Sequence, residues 1–484
     1  MDTGDFPGYE FEVPRGQRHG YGPRHATGHD SLHQLRYTPQ HSPAPRSPVR
    51  AAGSGVFAVM RRKNWLLGLA APIMAAIAVG IAAVVITGGG GGNGGVAPSA
   101  LAAGFSPARL AGGVFTGAGG TSRVILTAIG ASAATEVATG EVNGGPALWV
   151  SADGGTEWTR AVLRGQASLT QAGTGQLAGV AHGAAGWIAV GTTVARSGGP
   201  LVVSSPDALT WTAAGGTAGL AAANAVATAA AAGPAGYVIV GHQPAGRDGG
   251  TAAAAWYAPG LSGWRKAAIT QQGQQGAPGS QMMSAVTATA RGFTAVGSTG
   301  TRPAVWLSSA GQAWQQVTVP EPAGAARSAL DYVAANGTGV VAAGTEFTAT
   351  GASLPFAEVS PDGGTTWSVV QLPVPGTGPG TGTTVTALTA ASGGFTATGT
   401  YVTAAGPEVV VWTLSPGTPV TDGAGWTAVT PQGEGLASTA SENAITALTA
   451  DGATLTGVGF TAKVSASGVP GTQMPTLWQS PIRY

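Results

Sequence analysis

The sequence predicts an all-β protein, a seven-bladed β-propeller with six or eight blades as the alternatives, preceded by one transmembrane helix and a disordered N-terminal tail. Three observations support this prediction. A repeat fills most of the chain, a single long apolar run precedes it, and the stretch before that run is basic and polar. These features divide the chain into residues 1–63, 64–87, 88–104 and 105–484.

The composition excludes several classes of protein. Of 484 residues, 81 are Gly and 32 are Pro, charged residues make up only 9%, and there is no Cys. A chain without Cys has no disulfide scaffold, Cys-ligated metal site or thiol nucleophile. The net charge of +1 gives no electrostatic reason to expect a nucleic acid partner, and none is predicted.

Residues 1–63 are predicted to form a disordered cytoplasmic tail. They are rich in Pro, His, Arg and Gly and show no apolar periodicity. Five of the seven His lie here at irregular spacing, which favours a low-complexity tail over a metal-binding tract. Met60 is an alternative start, which would leave out nearly all of this tail.

Residues 64–87 are predicted to cross a lipid bilayer once. The run from Trp65 to Thr87 carries no charge and would extend about 34 Å as a helix, enough for a hydrocarbon core of about 30 Å. Arg61, Arg62 and Lys63 precede it, so the positive-inside rule puts the N-terminus in the cytoplasm and the rest outside. A cleaved signal peptide is the alternative, with a small-x-small site at 100–102. Residues 88–104 form a Gly-rich linker.

The remainder of the chain is an internal repeat. An apolar run, a short polar turn and a second run that closes on Gly recur in seven copies, 47 to 61 residues apart. The closing residues are assigned as Gly130, Gly191, Gly241, Gly297, Gly344, Gly399 and Gly459. Each copy reads as four short strands, and this period is typical of propeller blades rather than solenoid repeats. The segment Phe105 to Leu110 is expected to supply the missing outer strand of the seventh blade and so close the ring.

A second element follows the closing Gly in each copy. Two copies have the complete pattern S-x-D-x-G-x-x-W and a third has a shorter version. We expect the Ser and Asp side chains to bond backbone amides of a turn, the Gly to adopt a positive φ, and the Trp to cover the turn. The residues are Ser151, Asp153, Gly155 and Trp158; Ser205, Asp207 and Trp211; and Ser360, Asp362, Gly364 and Trp367.

This element resembles the Asp-box, or BNR repeat, of bacterial sialidases and of many non-enzymatic propellers. The resemblance covers about residues 105–484. It implies a propeller in which these residues are structural, because the family's box is a peripheral hairpin away from the catalytic centre. The expected protein is thus a membrane-anchored, sialidase-like propeller.

The resemblance is specific for the fold, but it is only a weak indication of sialidase activity. A sialidase needs several Arg, a Tyr activated by Glu and an Asp acid around the central channel. The family's Phe/Tyr-Arg-Ile-Pro element is absent, and Asp331 beside Tyr332 is interpreted as a strand end that faces water. Tyr401, Glu408 and five Arg are expected on scattered loops, namely Arg164, Arg196, Arg247, Arg265 and Arg327. No catalytic, cofactor-binding or metal-binding residue is predicted, and no cofactor.

The predicted function is a non-catalytic ligand-binding or scaffolding module at the cell surface. The alternative is a sialidase-like glycoside hydrolase acting on cell-surface or environmental glycans, and an assembly factor for a membrane complex is a third reading. Long connections, for example 241–256, 264–285 and 459–478, are expected on the face opposite the Asp-box turns. Because loops supply most binding residues, a protein or glycan ligand is predicted there.

Overall fold

The computed structural model describes residues 106–107, 123–165, 175–193, 199–213, 218–220, 224–245, 250–270, 280–375, 382–403, 406–431, 436, 441–452, 454–463 and 473–482. The predicted tail, membrane span and linker lie outside these residues. In the part of the chain that is described, no helix is long and apolar enough to cross a membrane.

Seven sheets follow one another along the chain, and their strands pair antiparallel except for one parallel outer strand in each of two sheets. The first strand is β1 (Ser106–Pro107). Blade 1 contains β2 (Val124–Ser132), β3 (Thr135–Val142), β4 (Gly145–Ser151) and β5 (Thr159–Arg160). Blade 2 contains β6 (Val162–Arg164), β7 (Gly175–Gly183), β8 (Gly186–Thr193), β9 (Pro200–Ser205) and β10 (Thr210–Ala213). Blade 3 contains β11 (Val226–Gly233), β12 (Gly236–Pro244), β13 (Thr251–Ala258) and β14 (Arg265–Lys266).

The second half of the chain continues the pattern. Blade 4 contains β15 (Ala268–Thr270), β16 (Gln281–Thr289), β17 (Gly292–Thr299), β18 (Arg302–Ser308) and β19 (Ala313–Val317). Blade 5 contains β20 (Ala325–Asn336), β21 (Gly339–Thr348), β22 (Ser353–Ser360) and β23 (Ser368–Gln371). Blade 6 contains β24 (Thr383–Ala391), β25 (Gly394–Thr403), β26 (Gly406–Leu414) and β27 (Trp426–Val429), and blade 7 contains β28 (Ser441–Asp451), β29 (Thr454–Lys463) and β30 (Met474–Pro481). Short 3₁₀ helices occur at Ala218–Leu220 and Gly423–Gly425.

The inner strands form a closed ring. Strands β2, β7, β11, β16, β20, β24 and β28 each contact the next in this order, and β28 contacts β2. The ring is sealed where β1 pairs antiparallel with β30, with Ser106 opposite Gln479 and Pro107 opposite Trp478. The predicted seven blades and the predicted closing strand are therefore confirmed.

Large aromatic side chains pack between the blades. At an equivalent position near the end of the third strand, five blades carry a fully buried Trp: Trp149, Trp256, Trp306, Trp412 and Trp478. The cluster around Trp149 includes Val458 and Leu477 of blade 7, so it joins the last blade to the first. Burying such side chains stabilises the fold by roughly 2–3 kcal/mol each.

One closing Gly is assigned wrongly by the sequence pattern. In blade 1, Gly130 lies in the inner strand β2, and Gly140 in β3 occupies the closing position. A Cβ on Gly140 would lie within 1.9 Å of the Ile125 carbonyl oxygen, so the inner strand leaves no space for a side chain. Gly191 has the same restriction against the Gln176 carbonyl oxygen. The repeated Gly is therefore needed where the backbones of the first and second strands of a blade approach each other closely.

The connections on the face opposite the Asp-box turns are shorter than the sequence suggests. Strand β12 runs to Pro244 and β13 begins at Thr251, well inside the expected loop 241–256. Among the charged residues expected on loops, Arg327 lies in β20 and Glu408 in β26. Polar side chains occupy the solvated ends of strands, so the apolar pattern marks only the buried middle of each strand.

Candidate functional site

The channel wall has a bulge at an equivalent point of each inner strand, and β20 has a second bulge near its start. All seven strands shift register at the same point, where one extra residue is inserted. The inserted residues are Thr127, Ala178, Thr228, Ser284, Asp331, Thr386 and Thr446. A bulge re-aims its side chain and increases the local twist, which suits a strand that must curve around a channel.

The Thr hydroxyls at the bulges join neighbouring blades. Thr228 Oγ1 donates to the Met283 carbonyl oxygen of the next blade at 2.7 Å. The other three bulge Thr make the equivalent bond, from Thr127 to Leu177 at 2.5 Å, from Thr386 to Ile445 at 2.6 Å and from Thr446 to Leu126 at 3.5 Å. We call the seven inserted residues the bulge belt. Its Thr hydroxyls bond across four of the seven junctions between blades.

Asp331 takes the bulge position in blade 5. It lies within β20 rather than at a strand end, so the sequence interpretation is wrong on this point. Burial raises the pKa of the Asp331 carboxyl to about 6 and raises the pKa of the adjacent Tyr332 hydroxyl above its ordinary value. In blade 4, the Ser284 hydroxyl is buried and has no hydrogen-bond partner among the described residues.

The other residues considered for sialidase chemistry are dispersed. Arg164 and Arg265 lie in β6 and β14, at the outer edges of blades 2 and 3. Arg327 lies over the Phe347 ring, with its guanidinium carbon 4.0 Å from the ring centroid. Arg196 and Arg247 lie outside the described residues.

One pair of these residues does come together. Tyr401 and Glu408 face each other across β25 and β26 in blade 6. Glu408 Oε1 accepts a hydrogen bond from Thr403 Oγ1 at 3.3 Å. Tyr401 lies in the second strand of its blade, opposite Thr383 of the inner strand β24, and Glu408 lies in the third strand.

The first complete Asp-box turn holds its Asp as an anion. Ser151 Oγ donates to Asp153 Oδ1 at 2.6 Å, and the same oxygen accepts from the amides of Thr156 at 3.1 Å and Glu157 at 2.9 Å. The Gly155 amide donates to Ser151 Oγ at 2.9 Å. The backbone amides, followed by the Ser hydroxyl, lower the pKa of Asp153.

The other two turns have the same arrangement. Backbone amides and the Ser205 hydroxyl lower the pKa of Asp207, and hydrogen bonds led by the Thr366 amide lower the pKa of Asp362 to about 2. Gly155 and Gly364 adopt φ values of 83° and 97°. The Trp Nε1 atoms each donate to a carbonyl three residues earlier, from Trp158 to Gly155, Trp211 to Ala208 and Trp367 to Gly364.

Two buried carboxyls were missed at the sequence level. Glu358 is fully buried, and neither of its oxygens has a hydrogen-bond partner among the described residues. Glu136 is also fully buried and accepts a hydrogen bond from Thr456 Oγ1 of blade 7 at 2.8 Å. Burial raises the pKa of Glu358 to about 8 and that of Glu136 to about 7. The available signal was the repeat alignment, because Glu358 stands two residues before Ser360 where Trp149 stands two before Ser151.

These features define a seven-bladed β-propeller, with a ring closed at both the inner bulges and the outer edge. No protein-family model and no curated protein sequence matches the chain. Membership of the Asp-box family therefore stays a prediction.

Solved structures with some similarity to this chain include a protein of unknown function, YCF48 and a sialidase. A Dyadobacter fermentans protein of unknown function is 13% identical, with 75% of this chain and 95% of that chain covered and a TM-score of 0.42. YCF48 from Cyanidioschyzon merolae is 12% identical, with coverages of 74% and 96% and a TM-score of 0.43. A Trypanosoma rangeli sialidase mutant with trans-sialidase activity is 11% identical, with coverages of 74% and 54% and a TM-score of 0.38. Identities this low transfer no function.

Proposed function

We propose that the protein is a non-catalytic ligand-binding or scaffolding module at the cell surface, anchored in the membrane by one span over residues 64–87. Its N-terminus is cytoplasmic and its propeller extracytoplasmic. The span is supported by the uncharged run and its basic N-terminal flank. The ligand is a protein or a glycan.

The bulge belt is the observation that carries this proposal. A sialidase-like site would need its polar side chains free to converge on a substrate in the channel. The Thr hydroxyls of the belt instead donate to main-chain carbonyls of the next blade, as Thr127 does to Leu177 and Thr228 does to Met283. Arg164 and Arg265 lie at the outer edges of their blades, far from a common substrate carboxylate.

The face opposite the Asp-box turns remains the proposed ligand surface. Arg327, Tyr401 and Glu408 are each the third residue from a strand end on this face. These side chains combine both charges with an aromatic ring, a composition suited to a polar ligand. The connections between blades also run over this face, and such segments commonly carry binding residues.

The membrane topology is tested by single-cysteine labelling, since the native chain has no Cys. Ser42→Cys lies in the predicted tail and Ala349→Cys in the exposed turn between β21 and β22. A membrane-impermeant maleimide added to intact cells should label Ala349→Cys, and it should label Ser42→Cys only after permeabilisation. The reverse pattern would contradict the proposed orientation.

A glycan array probed with the full chain in detergent separates the two ligand classes. Reproducible binding to a defined glycan, lost on Glu408→Lys or Arg327→Glu, would assign a carbohydrate ligand to the proposed face. Binding that both variants retain would contradict that face. No binding to any glycan would leave a protein as the ligand class and would also count against the glycosidase alternative.

A further inference from the structure

Blades 2 and 4 are close structural copies. Each has a fifth strand, contributed by the connection from the preceding blade, that pairs parallel with the outermost strand of the repeat. In each blade, the Trp of the Asp-box turn follows six positions after its Ser, from Ser205 to Trp211 and from Ser308 to Trp314. The two turns can therefore be compared atom by atom.

In blade 2 the turn is filled by its own Asp. Asp207 Oδ1 accepts from Ser205 Oγ at 2.9 Å and from the amides of Leu209 and Thr210, both at 3.0 Å. Ala208 has a φ of 65°, and its carbonyl accepts from Trp211 Nε1. Three donors thus converge on one carboxylate oxygen.

Blade 4 has the same turn but no carboxylate. Ala310 stands at the position of Asp207. Gly311 has a φ of 77°, its amide donates to Ser308 Oγ at 2.8 Å, and its carbonyl accepts from Trp314 Nε1 at 3.1 Å. The backbone conformation is therefore kept.

The donors of the blade 4 turn lack an acceptor. The amides of Gln312 and Ala313 correspond to those of Leu209 and Thr210, and neither bonds to any described residue. Both residues are exposed, so a ligand can approach them. Ser308 Oγ accepts the Gly311 amide but has no Asp to which it can donate.

A cleft adjoins this turn. It has a volume of about 620 Å³, lies between blades 4 and 5, and includes Ser308 and Ala313 in its lining. Arg291 also lines it and donates to Thr365 Oγ1 at 2.6 Å, with no carboxylate paired to it among the described residues. The cleft therefore combines a cation with unpaired backbone donors.

A second polar group in the cleft is also unpaired. Thr294 is fully buried and lines the cleft, and its Oγ1 has no hydrogen-bond partner among the described residues. Thr456 at the same position of blade 7 donates to Glu136 of blade 1, whereas blade 5 carries Val340 at the position of Glu136. At the seam between blades 4 and 5 the Thr294 hydroxyl is therefore left for a ligand.

We propose that the blade 4 turn is a carboxylate-binding site, in which an acidic side chain of a peptide ligand takes the place that Asp207 takes in blade 2. The Ser308 hydroxyl and the amides of Gln312 and Ala313 bind one carboxylate oxygen. Arg291 supplies the positive charge, and the cleft receives the flanking peptide. A peptide is the occupant because the site copies the geometry of an Asp side chain.

This proposal rests on the binding function proposed above and names a second surface for it, on the face that carries the Asp-box turns. The ligand surface on the opposite face does not use these residues. If the blade 4 turn does not bind a carboxylate, the proposed ligand surface on the opposite face is unaffected. The two proposals can therefore be contradicted separately.

Ala310→Asp is the decisive variant, because it fills the site from within the chain. The probe is the peptide acetyl-Gly-Ser-Asp-Gly-amide, titrated into the full chain in detergent and followed by calorimetry. Charge-assisted hydrogen bonds of this kind imply that Ala310→Asp weakens binding on the order of tenfold or more. Arg291→Gln should weaken it less, and the peptide with Asn in place of Asp should bind at least tenfold more weakly.

Blade 2 supplies the matched control. Asp207→Ala should open a second site of the same kind and raise the stoichiometry of peptide binding. The proposal is overturned if the wild-type chain does not bind the peptide, if Ala310→Asp binds it unchanged, or if the Asn peptide binds equally. Tighter binding of glucuronate than of the peptide, lost in Ala310→Asp, would overturn the choice of a peptide and assign the site to an acidic sugar.

Discussion

Two buried carboxyls lie in the seams between blades, where the repeat otherwise carries apolar side chains. Glu358 occupies a position that is Trp in five blades, and Glu136 occupies one that is Phe in blades 4 and 6. Transfer of a charged carboxylate into such a seam is costly, so the proton is retained instead. Burial is accordingly the main cause of the raised pKa of both groups.

The stability of the protein should fall as the pH rises through the neutral range. The pKa of Glu358 rises on folding from 4.5 to about 8, so the folded state binds more protons between these values. The contribution is fully present below pH 4.5 and is lost as the pH rises through about 8. Its full size is on the order of 5 kcal/mol. Urea unfolding of Glu358→Gln at pH 6 and pH 9 should show a smaller difference than the wild-type chain shows.

Glu157→Gln provides the control for this measurement. The Glu157 side chain is exposed in the blade 1 turn, and the hydrogen bond to Asp153 comes from its main chain. This variant should retain the wild-type dependence of stability on pH. An unchanged dependence in Glu358→Gln would show that this carboxyl is charged in the folded state.

At the scale of the element, the Asp-box turn links a short polar loop to the packing of a Trp. The Trp211 ring is fully buried, and its Nε1 donates to the Ala208 carbonyl. The ring packs in a cluster with Val137 and Leu148 of blade 1. One residue thus fixes both the turn and the contact between two blades.

Two substitutions at Trp211 separate these roles. Trp211→Phe should cost about 1 kcal/mol, because it removes the hydrogen bond and leaves a large apolar ring. Trp211→Ala should cost about 3–5 kcal/mol, because it also leaves a cavity. Leu209→Ala, at an exposed neighbouring position, should change the free energy of unfolding by less than about 0.5 kcal/mol. Equal losses for the two Trp variants in denaturant unfolding would mean that packing contributes little here.

The elements differ in how far the sequence predicts them. The Asp-box residues of blades 1, 2 and 5 lie within eight consecutive positions, so their turn could be inferred from spacing alone. The bulge at Asp331 depends on the register of β20 against β21, which is not a local property. The cleft at Arg291 depends on how blade 5 packs against blade 4. Sites formed between blades therefore required the structure.

At the scale of the whole molecule, ring closure replaces covalent cross-linking. The chain has no Cys, and the outer edge of blade 7 is covered only by the short strand β1. An uncovered edge strand would favour pairing between molecules. The contact of Ser106 with Gln479 therefore protects β30 and holds the two ends of the repeat together.

A designed cysteine pair tests this closure in the full chain. Ser106→Cys combined with Gln479→Cys should form a disulfide under mild oxidation and stabilise the protein on the order of 2–4 kcal/mol. Ser106→Cys combined with Met474→Cys is the control, because Met474 is exposed and lies outside the register of β1. Equal cross-linking of the two pairs on non-reducing gels would show that β1 does not hold this register.

The central claim is that the propeller binds a ligand and does not cleave glycosidic bonds. The most direct test is hydrolysis of a fluorogenic sialoside by the full chain in detergent, beside Asp331→Asn and Tyr401→Phe. We predict that all three proteins release fluorophore at the rate of buffer alone. Turnover by the wild-type chain that either substitution abolishes would contradict the account and establish a glycosidase.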